Sequence, residues 1–147
     1  MYGLGMIVRE SHQYAPPSCS GVPIYGDLTS AVFDSTEAAA GAGYNSILWK
    51  GMLGGPVADQ GRVRFQLATS DASGGPWNYL GGSTCGTLDW FDAATPDAPI
   101  ELIGAVCQAE WNNKRYFRYK IRICSNDCIS AGTYTPTVDD VVVNWAP

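Results

Sequence analysis

The chain has 147 residues, 46% hydrophobic, 12% aromatic and 16% charged, with a formal net charge of −5. A chain of about 150 residues buries roughly 68–70% of its extended-chain surface, so one domain with its own core is expected and a disordered chain is excluded. The acidic balance argues against a dedicated nucleic-acid binder, which needs clustered Lys and Arg, and no apolar run reaches the ~18 residues of a membrane-spanning helix.

In chain order, residues 1–25 read as an N-terminal arm or linker that has no sustained period and contains Pro16, Pro17 and Pro23. No secretory n-region, h-region and cleavage site open it. If the chain is exported, it is expected to be a mature form or a fragment. His12, the only histidine, falls in this arm, outside every expected strand. A β-sandwich domain is expected over residues 26–147. LTSAVF at 28–33 is its first short strand, and EAAAGAG at 37–43, with two glycines and no amphipathic stripe, is a loop. YNSILWKG at 44–51 is a strand with Ile47 and Trp49 on one face.

RVRFQLATS at 62–70 alternates, with Val63, Phe65 and Leu67 inward and Arg62, Arg64 and Gln66 outward. DASGGP at 71–76 is a turn-rich loop, and WNYL at 77–80 a short strand. The stretch 81–114 is less regular. GTLDWF and ELIGAVCQAEW are weak strand candidates on either side of a Pro-punctuated loop at 95–99, and a short helix near 104–111 is equally compatible. RYFRYKIRIC at 115–124 is the clearest strand: Phe117, Tyr119, Ile121 and Ile123 share one face, and Tyr116, Arg118, Lys120 and Arg122 the other. A Cys-Ser-Asn-Asp-Cys tip and a last strand over 137–145 complete the fold. About eight short strands without β-α alternation predict an all-β, two-sheet antiparallel β-sandwich of jelly-roll type with an extended N-terminal arm.

Cys19, Cys85, Cys107, Cys124 and Cys128 lack C-x-x-C spacing, and a single histidine cannot complete a zinc site. Disulfides are therefore expected, which places the chain outside the cytosol, extracellular or at the cell surface. Cys124 and Cys128 bracket a tight polar turn and are paired; Cys85 and Cys107 form the second bridge, worth about 3 kcal/mol of unfolded-chain freedom. Cys19 is left over.

SILWKG, VRFQLATSDASGGPWNYLG, RYFRYKIRICSNDC and TPTVDDVVVNW, in that order, resemble the C-terminal extracellular β-sandwich domains of bacterial type IV pilin-like (prepilin-type) surface proteins. The layout is similar, more loosely, to galactose-binding-like jelly rolls. The resemblance covers residues 26–147 and implies a surface protein that assembles with other pilin or surface-protein subunits, or attaches cells to a glycan. The leader and long apolar helix with which a pilin-like protein begins are not in this sequence. The jelly-roll likeness also implies a structural calcium, held by Asp139 and Asp140 in the last strand with Asp27 and Asp34 from near the first, because hard cations want clustered oxygens. The alternative is that these acids solvate a strand edge.

Catalysis is not expected. A Ser-His-acid set needs a well-placed base, and no G-x-S-x-G, H-E-x-x-H or phosphate-cradling loop is present. Glycosidase chemistry needs two carboxyl groups about 5–9.5 Å apart across a cleft. Adjacent Asp139 and Asp140 are expected on opposite faces, and nothing singles out Asp89, Asp92 or Glu110. Binding is the better expectation. Trp77, Tyr79, Trp90 and Trp111 lie in or beside loops, where rings suit sugar faces, whereas Trp49 and Trp145 are expected in the core.

Arg62, Arg64, Arg118, Lys120 and Arg122 are five of the nine basic residues and form a stripe if their strands are neighbours. The stripe is either a solvated face with cross-strand acid partners or a dock for an anionic ligand, such as extracellular DNA or an acidic glycan, or for an acidic subunit face. Truncating Arg118 is expected to cost at most about 0.5 kcal/mol, against about 3–5 kcal/mol for Phe117. The expectation is a non-catalytic extracellular module, pilin-like or adhesin-like, for surface attachment or assembly. The alternative is a carbohydrate-binding module of a larger secreted enzyme or surface protein.

Overall fold

The computed structural model describes residues 6–13, 25–37, 41–130 and 132–147. Nine strands are found among the described residues: β1 (Met6–Gln13), β2 (Tyr25–Thr29), β3 (Phe33–Asp34), β4 (Gly43–Met52), β5 (Arg62–Ser70), β6 (Phe91–Asp92), β7 (Ile100–Glu101), β8 (Tyr116–Cys124) and β9 (Thr137–Ala146). Helix among the described residues is limited to one turn, α1 (Gln108–Trp111), and a 3-10 turn at 57–59. None is long and apolar enough to cross a membrane. The strands form two antiparallel sheets. One has the order β1-β9-β4-β7, and the other β2-β8-β5-β6 with β3 also paired to β8.

The core is where the inner faces meet. Tyr44, Ile47 and Trp49 of β4 and Val138, Val141 and Val143 of β9 oppose Val63, Phe65 and Leu67 of β5 and Phe117, Tyr119, Ile121 and Ile123 of β8, all at most 4% exposed. Burial on this scale stabilises by about 1.5–3 kcal/mol per side chain before entropy is charged. The rings add geometry. Tyr44 stacks on Phe117 at 4.6 Å, Phe65 meets Tyr119 edge-on at 6.0 Å, and the Trp49 indole donates to the Ala93 carbonyl at 3.1 Å. Trp145 is half-buried and packs against the core from its edge, 5.8 Å from Phe33. The alternation expected in residues 62–67 and 115–123 is the alternation observed for the inward positions.

Three local departures have physical causes. The single strand expected over 28–33 is two, because Ser30 takes over part of the ladder. Its N–H donates to the Tyr119 carbonyl at 2.9 Å, its hydroxyl accepts the Tyr119 N–H at 3.0 Å, and Ala31 and Val32 swing out to solvent between β2 and β3. Residues 6–13, expected as an extended arm or linker outside the sandwich, form β1 along β9, so His12 lies within a strand, opposite Val138. An edge strand of mixed character gives no clean period to read. Finally, β9 pairs Lys50 with Asp140 and Gly51 with Val138. Asp139 is thus the extra residue of a bulge, and the simple rule that neighbours point to opposite faces does not govern Asp139 and Asp140. Cys19 lies outside the described residues, as do residues 38–40 of the expected EAAAGAG loop.

The two cysteine pairs are Cys85–Cys107 and Cys124–Cys128, with Cα atoms 5.2 and 4.9 Å apart. They fit a secreted, non-cytoplasmic protein.

Candidate functional site

β8 runs down the middle of its sheet, so its outward residues are flanked on both sides. Arg122 is in register with Asp27 of β2 and Arg64 of β5, and Arg64 with Asp92 of β6. Arg122 grips Asp27 with Nε and Nη2 at 2.6 and 2.7 Å, and Arg64 reaches Asp92 at 2.6 Å. Across four strands the row therefore reads acid, base, base, acid, and its charges cancel. Pairs this exposed contribute at most about 1 kcal/mol each; their larger effect is to remove the expected excess of positive charge.

The other cations of the stripe are also engaged. Arg118 donates from Nε and Nη2 to the Ser30 carbonyl, at 2.9 and 2.7 Å, and so clasps the break between β2 and β3. Lys120, in register with Thr29 and Gln66, holds its ammonium 4.5 Å over the Tyr79 ring. Arg62 is exposed at the start of β5. Its charge helps hold the Asp127 carboxyl below the usual range, after the larger effect of the Ser130 and Ile129 N–H groups.

The aromatic candidates arrive on this same face from another part of the chain. Beyond β5 the chain turns, with the Gly75 N–H donating to the Ala72 carbonyl, and returns beside β5 so that Leu80 pairs with Leu67. Alternation in this short stretch sends Leu80 toward the core and Trp77 and Tyr79 outward over the sheet. Trp77 lies 5.6 Å from the Arg118 guanidinium, and Arg122 sits 4.3 Å from Trp90 and 3.9 Å from Tyr25. Rings and cations thus form three steps along β8: Trp77 on Arg118, Tyr79 on Lys120, Trp90 on Arg122. Each such contact is worth about 0.5–1 kcal/mol when exposed. Burial under this arrangement pushes the Tyr79 phenol above its ordinary pKa.

Loop 81–90 holds Trp90 in place and changes the fate of Gln66. This residue points outward as expected but is 1% exposed, because its amide donates to the Thr87 and Asp89 carbonyls at 2.9 and 2.7 Å. Within the loop, Asp89 accepts the Thr84 N–H at 3.1 Å, the Thr84 hydroxyl at 2.9 Å and the Trp90 N–H at 2.9 Å. These donors, the Thr84 N–H foremost, hold its carboxyl below the usual range. Gly82, at φ +64°, leaves the space the carboxylate fills; a methyl group there would overlap it. Cys85 then staples the loop to Cys107, the residue that precedes α1.

Two sets of expected site residues fall elsewhere. Trp111 is no exposed platform: α1 turns it inward to 1% exposure, 5.8 Å from Phe91. Nor do the four aspartates considered for calcium converge. Asp27 and Asp34 lie on one sheet, Asp139 and Asp140 on the other. Asp34 is held by Arg115 at 2.8 and 2.9 Å, and that guanidinium, with the Thr36 N–H, keeps its carboxyl below the usual range. Among the described residues no three His, Cys, Asp or Glu side chains gather as a metal site. Tyr25, Asp92 and Gln66 are members of this face that sequence reasoning leaves out of the site, and Asp27 is one that it assigns to calcium. The two acids sit in strands of five and two residues, too short to carry a pattern. No protein-family model matches the chain, and no curated protein or solved structure is significantly similar to it, so no relative's activity bears on this face.

Proposed function

We propose that this chain is a non-catalytic extracellular module, pilin-like or adhesin-like, that attaches to surfaces through the outer face of β2, β8, β5 and β6. The observation that carries the proposal is the three-step ladder of Trp77, Tyr79 and Trp90 on Arg118, Lys120 and Arg122. It unites two candidate sets from distant parts of the chain in one contiguous surface. Each ring is half-buried, so part of it remains open to a ligand. Flat rings interleaved with N–H donors suit the faces and hydroxyls of a glycan. A nucleic acid gains mainly from unpaired cations, and Arg64 and Arg122 already have acid partners. The non-catalytic assignment draws support from the acids beside this face. Asp27 and Asp92 serve ion pairs and Asp89 serves its own loop.

The jelly-roll assignment belongs with this proposal. Its support is that the described strands alternate repeatedly between the sheets, at β1–β2, β3–β4, β4–β5, β6–β7, β7–β8 and β8–β9. Location at the cell surface and assembly with other subunits follow from the resemblance to pilin-like domains, and the cysteine pairs are in keeping with it. The same face also serves the second reading, a carbohydrate-binding module of a larger secreted protein.

A glycan array and a DNA-binding assay at two salt concentrations test the assignment. The expected result is glycan binding that falls at least about ten-fold in Trp77→Ala, with DNA binding weak at both salts. Salt-sensitive DNA binding lost in the Arg118→Ala, Lys120→Ala double variant would replace the glycan by a polyanion. Hydrolysis of a glycoside, abolished by one Asp or Glu substitution, would overturn the non-catalytic reading. Glycan binding that ignores Trp77, Tyr79 and Trp90 would remove the face from consideration.

A further inference from the structure

We infer that a second binding site lies on the other side of residues 76–80, a cleft that takes one neutral pyranose ring. The cleft encloses about 310 Å³ between the stretch from Thr69 to Leu80 and the segment from Glu110 to Lys114. That is the small end of the range for ligand sites. Pro76, Asn78 and Leu80 line it, whereas Trp77 and Tyr79 belong to the ring face. The strand-like alternation of this stretch therefore gives the two sites a common wall and no common side chain.

The walls are fixed to each other. The Thr69 hydroxyl donates to the Glu110 carbonyl at 3.0 Å, and the Lys114 ammonium reaches Asp71 at 2.5 Å across the opening. Cys107, which begins the helical side, is held by its disulfide. Asp71, Asn78, Glu110 and Lys114 line the concavity and bring both acceptors and donors to it, as a ligand whose hydroxyls both donate and accept requires. A phosphate or carboxylate ligand would meet two carboxylates. A purely aliphatic one would strand four polar groups. Leu80 and Pro76 supply apolar surface for the C–H face of a sugar ring.

Trp111 gives an independent pointer. It is 1% exposed, it forms part of the cleft wall, and its indole N–H is buried without an acceptor. Native folds rarely leave such a donor unpaired, so each one calls for a partner. The site needs nothing from the ring face and stands or falls separately from it.

The test is a titration of the full chain with the methyl glycosides of glucose, galactose and mannose, followed by ¹H–¹⁵N amide and indole NMR shifts. At least one glycoside is expected to saturate with a Kd near about 1 mM, moving the signals of Asp71, Asn78, Glu110, Lys114 and the Trp111 indole. Asn78→Ala and Glu110→Gln, whose own spectra report whether they fold, should each weaken binding at least about ten-fold. Trp77→Ala, which weakens the ring face, should leave the titration of these cleft signals unchanged. The inference is overturned by the absence of saturable shifts, by shifts confined to Trp77, Tyr79 and Trp90, or by a simple alkylamine binding as well as the glycosides. Because Trp77→Ala reads the ring face and Asn78→Ala reads the cleft, failure of one site cannot be mistaken for failure of the other.

Discussion

β8 and the stretch 71–90 build the same surface by opposite means. Along β8 a period of two does the whole job: Phe117, Tyr119, Ile121 and Ile123 enter the core, while Arg118, Lys120 and Arg122 line up outside. The stretch 71–90 has no such period. Its rings reach the face through a Leu80–Leu67 bridge, a carboxylate that collects three N–H or O–H donors, and a disulfide to a distant helix. The first region is placed by its inward residues alone; the second depends on a few specific partners. Substitutions should therefore separate the two regions sharply.

The largest effect belongs to the inward face of β8. Phe117 is 1% exposed and stacked on Tyr44, so Phe117→Ala should destabilise by about 3–5 kcal/mol, read in a denaturant melt. A loss under about 1 kcal/mol would mean that the face assignment is wrong. In the second region, replacing Cys85 and Cys107 together by Ala should cost about 3 kcal/mol through the freed unfolded chain. It should also release Trp90 from Arg122, visible as a change in tryptophan emission while the β8 amides stay protected from exchange. Loss of β8 protection in the same variant would show that loop 81–90 and the central strand are one cooperative unit, which would undo the contrast.

Legibility in the sequence follows the same divide. The inward faces of β5 and β8, the two sheets and the Cys124–Cys128 pair follow from alternation and from a polar turn between cysteines, and Cys85–Cys107 follows as the pair that remains within the domain. Trp77, Tyr79, Trp90 and the basic stripe were visible as candidates, but as two rival surfaces, because nothing local says that residue 77 will lie over residue 118. Long-range pairing of that kind is set by register across strands. The place of Asp27 and Asp92 on this face escapes for the same reason, as does the inward turn of Trp111 on a one-turn helix. The β2 break at Ser30 is a case where one hydroxyl outcompetes the ladder, which no period can signal.

Arg118 marks the point where the simple rule for β8 fails. An outward arginine is expected to be nearly neutral, yet this one donates twice to the Ser30 carbonyl and carries Trp77. Arg118→Ala should cost about 1–2 kcal/mol, the value of charge-assisted hydrogen bonds discounted for partial exposure. Arg118→Lys should recover only part of it, since a single ammonium lacks the forked geometry. A neutral Arg118→Ala in equilibrium melts would return β8 to pure alternation and leave the β2–β3 break without its clasp.

The smallest expected effect is a pH dependence confined to the second region. Asp89 titrates below the ordinary carboxylate range in the folded chain, because the Thr84 N–H and hydroxyl and the Trp90 N–H all donate to its charged form. A depressed folded pKa contributes stability that is fully present above the unfolded value of about 3.9 and is lost as pH falls through the folded value. Loop 81–90 should accordingly be firmest near neutrality and loosen in acid, with Trp90 leaving Arg122 and the Gln66 bonds to Thr87 and Asp89 opening. Asp34 and Asp127 are depressed for similar reasons, so the whole domain will also weaken in acid, and a global melt alone cannot isolate the loop. Amide exchange of residues 82–90 can. In the parent chain it should rise as pH falls from about 4 downward, after correction for intrinsic rates. In Asp89→Asn it should be faster near neutrality and nearly independent of pH over that window, because the amide can still accept but carries no charge to lose. An equal acid-induced rise in both chains would show that Asp89 does not hold the loop, and that the disulfide alone places Trp90 on the ladder.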